Sequence, residues 1–210
     1  MGWLRRGLVQ GLARDATSLS FPVNEASFTQ LPANLPVPKD DGASDHLLGK
    51  PLPDVTLAST SGQPVNFCQR QGVIVLYAYP LTGRPGVPLP PGWDEIPGAR
   101  GCTPESCSFR DHYTKICQRG AEVFGLSTQS TDYQREVRER LHLPFHLLSD
   151  EDFAFTDALS LPTFTVTSTR LLRRLTLISV HGIIEHVFYP IFPPDQHAAE
   201  VVSHLRARNL

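Results

Sequence analysis

Residues 101–111 read Gly-Cys-Thr-Pro-Glu-Ser-Cys-Ser-Phe-Arg-Asp, and the rest of the chain is interpreted as the scaffold around this stretch. Thr103 is a good N-cap, Pro104 suits the first helical position, where its missing N–H costs nothing, and Glu105 adds negative charge to the first turn. The stretch therefore predicts a helix from about residue 103 or 104 to residue 118. Cys102 stands at the start of this helix, and Cys107 follows five residues later.

The position of Cys102 favours a reactive thiolate. A thiol at a helix start faces unpaired N–H groups and the positive end of the helix dipole, and such surroundings can lower a cysteine pKa to roughly 3.5–7.5. We therefore predict that Cys102 is a nucleophile at a helix start capped by Thr103. Two cysteines at this spacing also fit a structural disulfide or a pair of buried thiols, but the cap residues favour the nucleophile.

The other two cysteines, Cys68 and Cys117, have no motif around them and are interpreted as structural thiols. Four cysteines without a disulfide-dense layout favour a reducing compartment, where paired cysteines are usually catalytic or metal-binding. A zinc site is the weaker alternative, because the chain has no CxxC pair and its eight histidines are scattered. We expect no metal in the site.

The length, composition and charge limit the number of domains and the classes of binding partner. With 210 residues, 40% hydrophobic and 19% charged, the chain fits one globular domain, residues 46–210, after an N-terminal arm or linker, residues 1–45. A net charge of −2 argues against nucleic acid as a partner. No run approaches 18 apolar residues, so no membrane span is expected. Residues 1–14 are basic and amphipathic, and we favour a non-secreted arm of a cytoplasmic protein over the alternative, an organellar transit peptide.

A buried strand leads toward the cysteine pair. Residues 72–79, Gly-Val-Ile-Val-Leu-Tyr-Ala-Tyr, form a continuous apolar run rich in β-branched and aromatic residues, as expected for a strand buried on both faces. Before it, Asp54–Ser59 and Gln63–Phe67 are predicted to pair as a hairpin. After it, Leu81–Gly101 is rich in proline and glycine, and a loop of this length beside Cys102 favours a functional role.

Strands and helices alternate along the rest of the chain. Their order predicts an α/β fold, a mixed central β-sheet flanked by α-helices, and it is the order of a thioredoxin-like fold. His181-Gly182 is expected to make a tight hairpin turn between the last two strands. The predicted strands are Ala121–Ser127, Phe145–Leu148, Thr163–Val166, Leu172–Val180 and Ile183–Tyr189, and the predicted helices are Thr131–Leu141, Glu151–Leu159 and Asp195–Ala207.

The stretch 101–111 resembles the active-site segment of the Q-type (bacterioferritin-comigratory) peroxiredoxins, whose pattern runs Gly-Cys-Thr-x-Glu-x-Cys-x-Phe-Arg-Asp, and every fixed position is filled. Residues 143–150, Leu-Pro-Phe-His-Leu-Leu-Ser-Asp, resemble the family's LPFxLLSD segment. The resemblance covers about residues 47–210. It implies a thioredoxin-like thiol peroxidase without a cofactor, in which Cys102 is the peroxidatic cysteine and Cys107 the resolving one. We expect a monomer or weak dimer that reduces hydrogen peroxide and organic hydroperoxides and is recycled by thioredoxin or a similar dithiol.

The family also uses an arginine at the entry to a late strand, in a pattern Arg-x-Thr-x-Ile that residues 174–178 match. The resemblance therefore implies that Arg174 polarises the peroxide and holds the thiolate, whereas the alternative is a surface arginine beside Arg170 and Arg173. Because side chains alternate along a strand, Arg173 and Arg174 cannot both face the same way.

The chain departs from the family at one point. The family pattern Pro-x-x-x-Thr/Ser-x-x-Cys is missing its proline and its hydroxyl, because Glu95 and Ala99 occupy those positions. If Leu81–Gly101 is an insertion, Pro80 and Thr82 are candidates to supply the lost groups. Arg100 and a backbone N–H are the other candidates.

Two further classes of function compete with the peroxidase. A thioredoxin-fold redox sensor or binding protein with little turnover is the main alternative, and Ala99 is the argument for it. A disulfide oxidoreductase is disfavoured because such enzymes use a CxxC pair.

Overall fold

The structure, a computed structural model, describes residue 28 and residues 30–208. Its centre is a mixed seven-stranded sheet with the strand order β2-β1-β5-β4-β3-β8-β9, and a separate hairpin is made by β6 and β7. The strands are β1 Thr56–Ser59, β2 Val65–Asn66, β3 Val73–Ala78, β4 Ala121–Ser127, β5 His146–Ser149, β6 Thr163–Val166, β7 Thr169–Leu172, β8 Leu175–Val180 and β9 Ile183–Phe188. The helices are α1 Cys102–Cys117, α2 Thr131–Arg140, α3 Ala154–Leu159 and α4 His197–Ala207.

Strand β3 lies in the interior of the sheet and is buried on both faces, as the sequence predicted. It pairs in parallel with β4 and antiparallel with β8, and all six of its residues are buried. Because successive side chains point to opposite faces, Val73, Val75 and Tyr77 enter the core that α1 and α4 cover. Ile74 and Leu76 enter the core on the opposite face, which contains α3. The strand therefore holds both layers together and ends beside the cysteine helix.

Helix α1 begins one to two residues earlier than the sequence predicted. Gly101, not Thr103, is the N-cap, and Cys102 is the first helical residue. Gly101 has a φ of 107°, a left-handed conformation that glycine adopts without steric cost and a side chain resists. Pro104 consequently occupies the third helical position, where its missing N–H is still one of the unpaired donors of the first turn.

The prediction of one strand over Leu172–Val180 is wrong. The segment is divided at Arg173 and Arg174, since among the described strands β7 pairs only with β6, while β8 joins the main sheet. The N–H of Arg173 donates to the carbonyl of Pro162, outside both ladders. Because of this break Arg174 belongs to neither strand, so the alternation of side chains along a strand does not fix its direction, and its side chain enters the protein interior.

The long loop 81–101 has its own small core. A single 3-10 turn, Trp93–Glu95, is its only regular element among the described residues. Trp93 and Ala99 pack with Leu171 of β7, and further apolar side chains of the loop and of the β6–β7 hairpin surround them. The loop and the hairpin are thus one packed unit beside the main sheet.

The predicted arm, residues 1–45, is described only in part. Residue 28 and residues 30–45 of the arm are described, whereas the basic segment 1–14 lies outside the described residues. Among the residues that the structure describes, no helix is both long enough and apolar enough to cross a bilayer.

Candidate active site

Helix α1 is fixed to the sheet directly behind Cys102. The Tyr77 ring stacks on the Phe109 ring with 4.3 Å between centroids, and the Tyr77 hydroxyl donates to the Ser106 oxygen at 3.1 Å. Both contacts are buried, so the first turns of α1 have little freedom relative to β3. Cys102 itself is 2% exposed.

Arg174 meets the cysteine from the other side. Its Nη2 lies 3.2 Å from the Cys102 sulfur and 3.3 Å from the backbone carbonyl oxygens of Gly98, Ala99 and Arg100. Its Nη1 donates to the Glu105 carboxylate one turn further along α1. Arg174 is 4% exposed, so this is an inward-facing arginine and not the surface arginine of the alternative interpretation. Arg173 is less buried, and its guanidinium lies 5.9 Å from the centre of the Phe164 ring.

The electrostatics of Cys102 differ from the prediction of a lowered pKa. Burial is the largest effect and raises the pKa of the Cys102 thiol above its ordinary value. The positive charge of Arg174 lowers the pKa, the Glu105 carboxylate raises it, and hydrogen bonds from the Leu81 N–H and from Arg174 lower it. In this closed arrangement the loss of hydration raises the pKa of Cys102 more than the charge of Arg174 lowers it. The prediction of a lowered pKa was therefore wrong, because it considered the helix start and not burial.

Glu105 is a site residue that the sequence analysis treated only as a helix-start acid. It is fully buried, and burial raises its pKa to about 7 although the charge of Arg174 acts in the opposite direction. Its Oε2 pairs with Arg174, while its Oε1 has no hydrogen-bond partner among the described residues. A buried carboxylate requires a cationic partner. Glu105 fills the fixed glutamate of the family pattern, and that match could have indicated its role as the partner of Arg174.

The groups around the sulfur replace the missing hydroxyl only in part. The Cys102 thiol donates to the Ala99 carbonyl, with 3.6 Å between sulfur and oxygen, and the Leu81 N–H donates to the sulfur. The Thr82 hydroxyl donates instead to Gln129 at 2.9 Å. Pro80 is buried at the end of β3, and its carbonyl accepts from Ser127. Of the candidates, the backbone N–H is the group that reaches Cys102.

A small pocket opens onto Cys102 and Thr103. Its walls combine apolar side chains with the polar groups of Arg100 and Thr103 and come from the arm, the loop 81–101 and the helix start. Arg100 lies on its wall and pairs with Asp94 at 3.2 Å, and its guanidinium is 5.9 Å from the centre of the Phe28 ring. The other side chains that line the pocket are Leu81, Leu89 and Trp93.

Cys107 lies on the same intact helix as Cys102. It is half-buried, and burial raises the pKa of its thiol while the charge of Arg110 lowers it. All four cysteines are free thiols in this structure. Within the described residues there is no group of three or more histidine, cysteine or acidic side chains that could hold a metal ion.

Comparison with known proteins assigns the family. A family model described as Redoxin matches residues 47–203, the range that contains the sheet, α1 and Arg174. Peroxiredoxin Q of Sedum lineare, a chloroplastic protein, is 31% identical over 160 residues, which are 76% of this chain and 77% of that protein. The chain belongs to the redoxin family as a Q-type peroxiredoxin. It is accordingly a thiol peroxidase.

Other relatives of this peroxiredoxin agree. Chloroplastic peroxiredoxin Q of Oryza sativa subsp. japonica is 29% identical over 188 residues, covering 87% of this chain and 79% of that protein. The relatives are named as chloroplastic proteins, so they do not confirm the cytoplasmic placement that the sequence analysis favoured.

Solved structures confirm the thioredoxin-like fold of this peroxiredoxin. Peroxidoxin BcpB of Mycobacterium tuberculosis superimposes with a TM-score of 0.60 at 24% identity, over 76% of this chain and 96% of that one. A peroxiredoxin Q of Xanthomonas campestris gives 0.60 at 22% identity, over 79% of this chain and 99% of the other.

Proposed function

We propose that Cys102 is the peroxidatic residue. Its thiolate attacks the distal oxygen of a hydroperoxide, a sulfur–oxygen bond forms as the oxygen–oxygen bond breaks, and the leaving oxygen takes up the proton that the Cys102 thiol lost, so that alcohol or water departs. The product on the protein is a sulfenic acid. The observation that carries this assignment is the 3.2 Å contact between the Arg174 guanidinium and the Cys102 sulfur at a helix start.

Arg174 is proposed to stabilise negative charge on the sulfur and then on the departing oxygen. A fixed guanidinium in a dry site can do both without reorganisation. Glu105 and the three loop carbonyls hold the guanidinium in place, which makes them positioning groups. Because Glu105 shares the charge of Arg174, its protonation would leave more of that charge for the sulfur.

The neighbouring residues have supporting roles in this proposal. Thr103 lies in the pocket next to the sulfur, and Arg100 stands where the substrate enters. Thr82 and Pro80 are proposed to act on the substrate through the backbone. Their hydrogen bonds to Gln129 and Ser127 fix the segment that presents the Leu81 N–H to the sulfur.

Cys107 is proposed to resolve the sulfenic acid. Its sulfur attacks the Cys102 sulfur, a disulfide forms and water leaves, after which a thioredoxin-type dithiol reduces the disulfide.

Residues 46–210 are proposed to act as a monomer or weak dimer. Hydrogen peroxide and organic hydroperoxides are the proposed substrates, and residues 1–45 are the proposed arm.

The direct test follows hydroperoxide consumption with thioredoxin, thioredoxin reductase and NADPH. Cys102→Ser should abolish turnover and sulfenic-acid labelling, whereas Cys117→Ser, at an exposed cysteine of the same helix, should keep both. Retained peroxidase activity in Cys102→Ser would refute the assignment. A wild-type protein that forms the sulfenic acid but turns over only marginally would instead support the redox-sensor function, for which the missing hydroxyl at Ala99 is the argument.

The cellular location is tested separately. A fluorescent protein fused after residues 1–45 distinguishes an arm that stays in the cytoplasm from an organellar transit peptide. Import of the fusion into an organelle and its cleavage there would support the transit peptide.

A further inference from the structure

The pocket over Cys102 is closed by a side chain of the arm. Phe28 is 5% exposed and lines the same pocket as Cys102 and Thr103. With that ring in place the pocket has a volume of about 10 Å³, which holds at most one water molecule. A hydroperoxide is larger than one water molecule. It therefore cannot reach the sulfur through this pocket unless a wall moves.

The ring of Phe28 rests on a glycine of the loop. A Cβ atom at Gly83 would collide with the Cδ1 and Cε1 atoms of the ring. The centre of the ring is also 5.9 Å from the Arg100 guanidinium. Gly83 thus provides a bare backbone surface on which an aromatic ring of the same chain fits.

A second arm residue lies on a second glycine. Leu31 is half-buried, and its Cδ2 atom would be 2.9 Å from a Cβ atom at Gly101. Gly101 is the N-cap of α1 and directly precedes Cys102. Two apolar side chains of the arm therefore lie against glycines near the reactive sulfur, Phe28 against Gly83 and Leu31 against Gly101, which Pro194 also contacts.

The cover is not part of the family domain. The family model begins at residue 47, so Phe28 and Leu31 belong to the arm that precedes it. We propose that these two residues form an intramolecular cover that restrains access to Cys102 and lifts to admit the hydroperoxide. This inference rests on the proposed function of Cys102, and it concerns the regulation of that site.

The size of the effect follows from the contacts. The side chains of Phe28 and Leu31 have no hydrogen-bonding groups, so what these two residues contribute to closure is apolar burial and the contact of the Phe28 ring with the Arg100 guanidinium. Removing the ring of Phe28 eliminates most of the apolar area that this residue buries. The open population should then rise about tenfold, equivalent to about 1.4 kcal/mol.

The experiment measures exposure of the sulfur independently of peroxidase turnover. The full chain carries Cys68→Ser, Cys107→Ser and Cys117→Ser, and alkylation of Cys102 by iodoacetamide is followed by mass spectrometry well below the melting temperature. Phe28→Ala is compared with Val37→Ala, a matched control at an exposed arm residue outside the pocket.

A second variant removes the cover without changing the arm. Gly83→Ala adds a Cβ where the ring now lies, and the backbone of Gly83 is not left-handed, so alanine fits its conformation. Phe28→Ala and Gly83→Ala should each accelerate alkylation about tenfold, while Val37→Ala leaves it unchanged. In the chain with its cysteines intact, both variants should also accelerate the reaction with cumene hydroperoxide.

Each outcome bears on one proposal. Unchanged or slower alkylation in both variants refutes the cover. A slower reaction with cumene hydroperoxide in Phe28→Ala also refutes it, since the ring would then be a substrate-binding wall. Faster alkylation in a protein that consumes no hydroperoxide supports the cover and refutes the proposed function.

Discussion

Replacing Arg174 by lysine tests the charge arrangement at the site. Arginine uses Nη1 for Glu105 and Nη2 for the Cys102 sulfur and the loop carbonyls. Lysine keeps one positive charge but has no planar fork, so its single ammonium cannot satisfy both groups in that geometry. We expect Arg174→Lys to lose its direct donor to the reacting atoms.

The expected magnitude is that of one lost oxyanion-type donor. Such losses reduce rates by about 10²–10³, or roughly 2.7–4 kcal/mol of transition-state stabilisation. Because Arg174 lowers the pKa of the Cys102 thiol, a displaced cation also raises that pKa and reduces the thiolate fraction. Both effects act in the same direction, and we expect a rate constant about 100-fold lower at neutral pH.

The assay is stopped-flow reaction of the reduced protein with hydroperoxide. Tryptophan emission is a suitable signal because Trp93 lines the Cys102 pocket. Arg173→Lys is the matched control, since that arginine is less buried and contacts the Phe164 ring. A 100-fold loss in Arg173→Lys, together with a silent Arg174→Lys, would refute the assignment.

Three further predictions concern α1 and its surroundings. Regular helix geometry separates the Cα atoms of Cys102 and Cys107 by roughly 8–9 Å, beyond the about 7 Å that a disulfide tolerates, so oxidation should increase amide hydrogen exchange over residues 102–110. Cys107→Ser should show no such change, and identical exchange in protein that carries the disulfide would exclude unwinding. Glu105 holds a proton in the folded state up to a pKa of about 7 and loses it near 4.5 when unfolded, so stability should fall by on the order of 3 kcal/mol as pH rises through that window. Urea unfolding at several pH values should show this fall in the wild type but not in Glu105→Gln, and parallel curves would contradict it. Tyr77→Phe should lower the free energy of unfolding by about 0.5–1.5 kcal/mol through loss of its hydroxyl contact with α1, and an unchanged urea midpoint would show that the contact contributes nothing.

The sequence predicted those elements that depend on local pattern. The apolar run 72–79 and the turn at His181-Gly182 produce β3 and the β8–β9 hairpin, because burial and backbone conformation at these positions follow from nearby residues. The break before β8 was missed because it depends on Pro162, eleven residues away, and on a buried destination for Arg174.

The sequence identified residues that the structure brings together, but not their electrostatics. Cys102 and Glu105 of the 101–111 stretch both contact Arg174. The direction of the Cys102 pKa shift depends on how deeply the loop 81–101 and Phe28 bury the sulfur, which no local pattern encodes. The N-cap of α1 was misassigned for a similar reason. Gly101 is the cap because its φ is 107°, and the sequence shows only that a glycine there can adopt such an angle, not that it does.

The shared core of the loop 81–101 and the β6–β7 hairpin has a consequence for protein engineering. Trp93 and Leu171 bury each other, and the loop also supplies the carbonyls that hold Arg174. A shortened loop would therefore expose an apolar hairpin and release the arginine at the same time. Loop and hairpin must be transplanted together, as one cassette, if another member of the family is to receive this site.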